Sequence, residues 1–184
     1  MEAMRRGGLD LPPLGGEGKV VEADETGYGD IPEARHPKFK TRGRPFSKNP
    51  RSRRKRAIIA LVERGGEVRS FHVPSAHADT VVEIVRKNIA RESRLHTDES
   101  KLYHQVGREF SAHETVTHSE KEYARGEHHT NTLESFWHLF KVSIASTHVH
   151  ISRKHFDKYL REFTLRSNHR ARENEMFDLL VACL

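Results

Sequence analysis

The stretch His129–Lys141, HTNTLESFWHLFK, decides how the chain is read. At about 100° per residue, Leu133, Phe136, Trp137 and Phe140, with Ile144 beyond, fall on one side of a helix. Asn131, Glu134, His138 and Lys141 share a narrow polar stripe on the other side. Such a helix buries three aromatics and aims a carboxylate and an ammonium, seven residues apart, the other way. Asn131, three residues before Glu134, also resembles a capping box, which offers Glu134 an ordinary capping role. Taken alone, the stretch favours that ordinary role.

Outward from this helix, the 184 residues are enough for one domain with its own core. Apolar residues make up 35% and charged residues 32%, so the core is modest and the surface heavily charged. The net charge of +6 is concentrated: Arg35–Arg56 holds eleven Lys or Arg and no acid, which leaves the rest of the chain net acidic. A basic block on an acidic remainder points to a polyanionic partner. Cys183 is the single cysteine, which excludes an internal disulfide and a cysteine zinc site and fits a reducing cytosol. Arg5 and Arg6 are followed by GGLDLPPLGGEG rather than an apolar signal region, and no apolar run approaches a membrane span. A soluble, cytoplasmic protein is expected.

Residues 1–18 carry Gly and Pro without periodicity and read as a mobile lead-in. Lys19–Glu25 predicts a strand, broken by Gly27 and Gly29; residues 30–56, with four prolines, read as a long loop. Ala57–Glu63, AIIALVE, suits a buried central strand. Gly65-Gly66 predicts a hairpin turn and Glu67–Val73 the returning strand. A helix is expected over Ala76–Ile89, a strand over Arg94–Asp98, a helix over Ser100–Phe110 and a short strand over His113–Val116. After a polar loop at 117–128 come the opening helix and a last one over Ser152–Arg166, with Phe156, Tyr159, Leu160 and Phe163 inward. This order predicts an α/β fold, a mixed sheet flanked by helices.

Three acids fall at comparable places: Asp24 in the first strand, Asp98 at the end of a later one, and Glu134 on the helix. Asp24 could face solvent and Asp98 could cap a helix. Yet a charge inside an apolar strand needs a paired charge or a metal. Together the three suggest one site, since Mg2+ takes a few carboxylates and leaves positions for water and phosphate. Two such ions about 4 Å apart serve phosphodiester chemistry.

The segments VEADET (Val21–Thr26), HTDES with LY (His96–Tyr103), VGREF through HS and EY (Val106–Tyr123), HTNTLESFWHLFK and RKHFDKYLREF (Arg153–Phe163) resemble one family. It is the bacterial insertion-sequence transposases with a DDE triad and a ribonuclease-H-like fold. The resemblance covers roughly residues 14–170. It implies that Asp24, Asp98 and Glu134 are the catalytic triad and hold two ions of Mg2+ or Mn2+. It further implies that Lys141 contacts DNA, and that the chain cuts and joins double-stranded DNA as a homo-oligomer. Some relatives use Asn in place of the Glu, but the seven-residue step to Lys141 favours Glu134 over Asn131.

The family differs at TGYGD around Tyr28 and at VSIASTH after Lys141, usually carries a zinc ribbon, and continues past Arg170. A copy shortened at both ends is therefore expected, with residues 19–170 as the catalytic domain, 35–56 as its basic loop and 171–184 as an atypical tail. A nuclease without strand joining, or an inactive DNA-binding remnant, is the alternative. Within the basic block, Arg42, Arg44, Lys48, Arg51, Arg53, Arg54, Lys55 and Arg56 are expected to contact phosphates. No histidine spacing, including His128-His129 and His148-x-His150, matches a closed zinc site. His113 and His118 flank the loop before the Glu134 helix and read first as ordinary histidines, as Tyr103 and Trp137 read as core.

Overall fold

The chain is described here from a computed structural model covering residues 11–28, 56–116, 131–148 and 151–171. Five strands form one mixed sheet: β1 (Val20–Tyr28), β2 (Arg56–Glu63), β3 (Val68–Val73), β4 (Arg94–Asp98) and β5 (Ala112–Val116). Their order is β3-β2-β1-β4-β5. The three strands first in sequence pair antiparallel, whereas β4 and β5 pair parallel beyond β1. The middle of the sheet is thus β1. The run AIIALVE predicts a central strand, and its strand β2 lies one place off centre. Both of its faces are nonetheless covered, which is why it reads as an unbroken apolar run.

Alternation divides the core between the two faces. Val21, Ala23, Ile59, Leu61 and Leu95 pack against α1 (Ala78–Asn88) and against Tyr103 and Val106. Those last two residues lie in a 3₁₀ turn (Lys101–Tyr103) and a single-turn helix, α2 (His104–Gly107). The long helix expected over 100–110 is therefore two short pieces. On the other face, Ile58, Ala60 and Val62 meet α3 (Asn131–Ser143), a π-type turn (Ile144–His148) and α4 (Arg153–His169). Leu133, Phe136, Trp137, Phe140 and Ile144 of the opening stretch are all buried there, as their spacing predicts.

Strand β1 does not break at Gly27. It continues to Tyr28 because β2 runs alongside to the last rung, Gly27 against Ala57 and Tyr28 against Arg56. Tyr28 then stacks on Phe156 at 5.7 Å and meets Phe140 edge-on. Gly65, at φ +72°, makes the turn between β2 and β3 that a side chain would strain.

Gly107 is fixed by space rather than by backbone angle, since an added Cβ would overlap the His113 ring. That ring is half-buried and its Nε2 lies 2.9 Å from the Thr97 hydroxyl. Gly107→Ala is expected to cost about 1–3 kcal/mol by overpacking. Chemical denaturation measures it, and a change within about 0.5 kcal/mol of wild type would show that the ring moves aside freely. Among the described residues no helix is long and apolar enough to cross a membrane.

Candidate active site

The face of β1 turned to α3 carries Glu22, Asp24 and Thr26, alternate residues of a strand that is otherwise apolar over its first half. The helix takes hold of each in turn. The backbone N–H of Leu133 and the hydroxyl of Thr132 donate to Glu22, at 3.1 and 3.0 Å. One turn on, Trp137 Nε1 donates to Asp24 Oδ2 at 2.9 Å. One turn further, Lys141 Nζ donates to Thr26 Oγ1 at 2.9 Å. Two strand residues advance about 6.6 Å and one helical turn about 5.4 Å, so α3 and β1 keep step over this distance.

Parallel pairing of β1 with β4 sets Ala23 beside Thr97, so Asp24 and Asp98 follow as the next residues on neighbouring strands. An oxygen of Asp24, one of Glu25 and one of Asp98 all lie within 4.8 Å of one another. Small donors hold each acid in place. The N–H of Glu25 donates to Asp24 Oδ1 at 2.8 Å. Ser100 serves two acids at once: its N–H donates to Asp98 Oδ1 at 2.9 Å and its hydroxyl to Glu25 Oε1 at 3.0 Å. Asp98 is not the cap of the turn that begins with Lys101: the N-cap there is Ser100, whose own N–H Asp98 accepts.

Burial, and then the neighbouring Asp98 and Glu25 carboxylates, push the Asp24 carboxyl up to about 7; the Trp137 and Glu25 N–H groups offset part of this. Glu25 is also raised, first by burial. Burial and the adjacent Glu25 hold the Tyr103 phenol well above its ordinary value. Protons and a divalent cation would therefore compete for the same oxygens. The donor set is all carboxylate, the preference of hard ions such as Mg2+ and Mn2+, and its oxygens lie close enough together to share one ion. These residues fit such an ion.

Of the three expected acids, Asp24 and Asp98 come together, while Glu134 stands exposed in the first turn of α3, outside the converging group. The third acid of the converging group is Glu25. Its signal in the sequence is the doublet Asp24-Glu25 in a strand. Trp137 and Tyr103 belong to the core as expected, yet the polar end of each faces an acid of the site. Glu22, fully buried, is a further acid that its sequence context does not single out. It accepts from Arg64 Nε at 2.8 Å, and Arg64 also reaches His96 Nδ1 at 3.2 Å. Glu22, rather than a residue of the helix itself, supplies the carboxylate that receives the first-turn N–H of Leu133.

Arg42, Arg44, Lys48, Arg51, Arg53, Arg54 and Lys55 lie outside the described residues, as do His118, His128, His129 and His150; Arg56 opens β2. His113 sits beside β4 against Thr97, and His148 packs on Tyr159 with ring centres 4.4 Å apart.

The model of the ISXO2-like transposase domain family matches residues 13–168. Among solved structures, a chain of the simian T-cell lymphotropic virus intasome in complex with PP2A regulatory subunit B56 gamma aligns over 87% of this chain. The TM-score is 0.51 at 11% identity, and the alignment spans 51% of that chain, about half its length. The catalytic core domain of BIV integrase aligns over 80% of this chain and 81% of its own, with TM-score 0.48 and 13% identity. Comparison with curated proteins finds no match. The fold is ribonuclease-H-like, a mixed sheet with helices on both faces.

Proposed function

Because this chain belongs to the ISXO2-like transposase domain family, we propose that it is the catalytic domain of an insertion-sequence transposase, cutting DNA at the element's ends and joining the freed 3′-hydroxyl to target DNA. The observation that carries this reading is the convergence of Asp24 and Asp98 at neighbouring positions on two parallel strands, under a helix that presents Glu134 and Lys141.

Asp24 and Asp98 would hold Mg2+ or Mn2+, with Glu134 completing the site. The ion, when bound, supplies Lewis-acid stabilisation of the charge that develops on phosphate oxygens. Trp137 fixes the rotamer of Asp24 through its N–H, and Ser100 does the same for Asp98. Asp24 keeps its proton up to about pH 7 until a cation displaces it. The exposed ammonium of Lys141, held over Thr26, stands two strand residues from Asp24 and suits a phosphate contact. We assign residues 19–170 to the catalytic domain and the basic 35–56 segment to sequence-independent contact with the DNA backbone, leaving 1–18, whose Leu14 is buried in the core beside Ile89, as a lead-in and 171–184 as a tail. Joining requires two ends held together, so a homo-oligomer on double-stranded DNA is the proposed working form, acting in the cytoplasm.

The deciding experiment is Mg2+- or Mn2+-dependent nicking of DNA carrying the element's own ends, wild type beside Asp98→Asn. Nicking that vanishes in the variant supports the reading, and strand joining then separates transposition from simple hydrolysis. Binding of DNA without nicking by either protein would leave a DNA-binding remnant and overturn the enzymatic reading.

A further inference from the structure

Apolar packing seats α3 on the sheet but does not fix where along its own axis the helix stops. Leu133, Phe136, Trp137 and Phe140 recur at helical spacing, so a slide of one turn exchanges one apolar contact for another. Directional bonds set the register instead, and α3 makes three ties to β1: Thr132 and Leu133 to Glu22, Trp137 to Asp24, and Lys141 to Thr26. Two of these ties belong to the chemistry. Asp24 is one of the acids placed to hold the cation, and Lys141 stands exposed where a phosphate would meet it. Of the three, the Glu22 tie alone joins groups that have no part in the reaction.

The surroundings of Glu22 suit that task. Its side chain is fully buried, and its two oxygens are divided among its partners. Oε2 accepts the Leu133 N–H at 3.1 Å, while Oε1 accepts the Thr132 hydroxyl at 3.0 Å and Arg64 Nε at 2.8 Å. Arg64 lies in the turn after β2 and extends to His96 Nδ1 on β4. One carboxylate thus ties the start of α3 to β1, to the β2–β3 turn and, through Arg64, to β4. A buried ion pair adds little net stability over apolar residues of the same volume, and its best-attested use is to select one register among several. Glu134 directly follows Leu133, so the bond that holds Leu133 against Glu22 also decides how far along the sheet Glu134 stands.

We propose that Glu22 is a positioning residue for the reaction: with Thr132 and Arg64 it pins α3 in the register from which Glu134 serves the site of Asp24 and Asp98. This rests on the transposase reading given above and adds to it a residue that acts on the chemistry without touching metal or DNA.

The test follows nicking at saturating DNA, DNA affinity, melting temperature and amide hydrogen exchange of the full chain, at a temperature where every variant is folded. Glu22→Gln turns an NH2 group toward a donor whichever way it lies, Leu133 N–H on one side or Arg64 on the other. Its saturating rate should fall about a hundredfold, the loss that a displacement of about 1 Å brings, with DNA affinity within about twofold of wild type. Amides of the first turn of α3 should exchange about tenfold faster while those of β1 and β4 keep their rates. A purely structural role would instead lower protection in helix and sheet together and leave the saturating rate of the folded protein unchanged. Glu22→Met combined with Arg64→Met, an apolar pair of similar length, should melt near the wild-type temperature yet nick as poorly as Glu22→Gln.

Wild-type nicking by the apolar pair or by folded Glu22→Gln would overturn the proposal and leave the transposase reading standing. If wild type itself does not nick, that reading falls and exchange alone judges the pin. Faster exchange confined to the first turn of α3 then supports it, and unchanged or uniformly faster exchange overturns it. Should the Glu22 variants fail to fold, Thr132→Val decides, because Thr132 is exposed and loses only its hydroxyl tie. A severalfold slower saturating rate at an unchanged melting temperature supports the proposal, and a wild-type rate overturns it.

Discussion

Asp24→Asn is expected to lower metal-dependent nicking by about a thousandfold or more, while making the metal-free protein more stable at pH 8. The first effect follows from removing a charged ligand from a site whose contribution to charge stabilisation is several kcal/mol, where each 1.36 kcal/mol is a factor of ten. The second comes from the Asp24 carboxyl itself, which titrates near 7 instead of at its ordinary 3.8. Its proton is bound more tightly in the folded chain than in the unfolded one. The stability this confers is therefore complete below about pH 4 and is lost as pH rises through 7. A carboxyl moved from 3.8 to about 7 corresponds to at most about 4 kcal/mol. In chelator, wild type should melt lower at pH 8 than at pH 5 by more than Asp24→Asn does, since Asn carries no charge at either pH. Retained nicking in the variant would remove Asp24 from the chemistry, and an unchanged pH slope would show that its proton is not held as the surroundings imply.

The second large effect is at Glu22. Glu22→Ala should cost about 3–5 kcal/mol, the usual penalty for taking away one member of a buried ion pair. Its loss leaves the Arg64 guanidinium without its carboxylate and the first turn of α3 without the acceptor for Leu133 N–H. Against a typical total of about 5–15 kcal/mol, this is a large fraction of the stability. Glu22→Gln keeps an acceptor of the same shape and should cost less, about 1–3 kcal/mol. Urea unfolding of the two variants, followed at Trp137, tests both figures. A Glu22→Ala protein within about 0.5 kcal/mol of wild type would mean that Arg64 and the helix end find other partners at no cost. Because α3 also carries Glu134, Trp137 and Lys141, nicking should fall together with stability in Glu22→Ala.

The stretch HTNTLESFWHLFK was legible because its information is local. Leu133, Phe136, Trp137 and Phe140 recur with the period of a helix, and a period decides which side chains turn inward whatever they turn toward. The same holds for AIIALVE, whose unbroken apolar run requires cover on both faces, and for Arg94–Asp98, whose bounds the structure reproduces. Errors fell where the outcome depended on a distant neighbour. Gly27 looks like a break until β2 is laid beside it, and Ser100–Phe110 has the spacing of one helix but closes as a 3₁₀ turn and a separate short one.

The site divides in the same way. Asp24 and Asp98 drew notice from sequence because an acid in an apolar strand, or at the end of one, has to be accounted for. Their proximity was not legible from spacing, since it depends on β1 pairing parallel with β4 across more than sixty intervening residues. Glu25 was hidden because alternation sends it to the face opposite Asp24, and only the turn through Ser100 and Tyr103 brings its carboxylate back. Glu22 was hidden because its partners, Arg64 and the start of α3, lie some 40 and 110 residues away.

By itself, then, the sequence determined most of the strands and helices, which faces they bury, and two of the three acids that converge, all of which follow from hydrophobic period and from the cost of burying charge. Tertiary structure alone decided the register of α3 on β1, the third acid of the cluster and the raised Asp24 carboxyl. Those depend on distances between residues far apart in the chain, and electrostatic and hydrogen-bond energies are set by such distances rather than by order along the backbone.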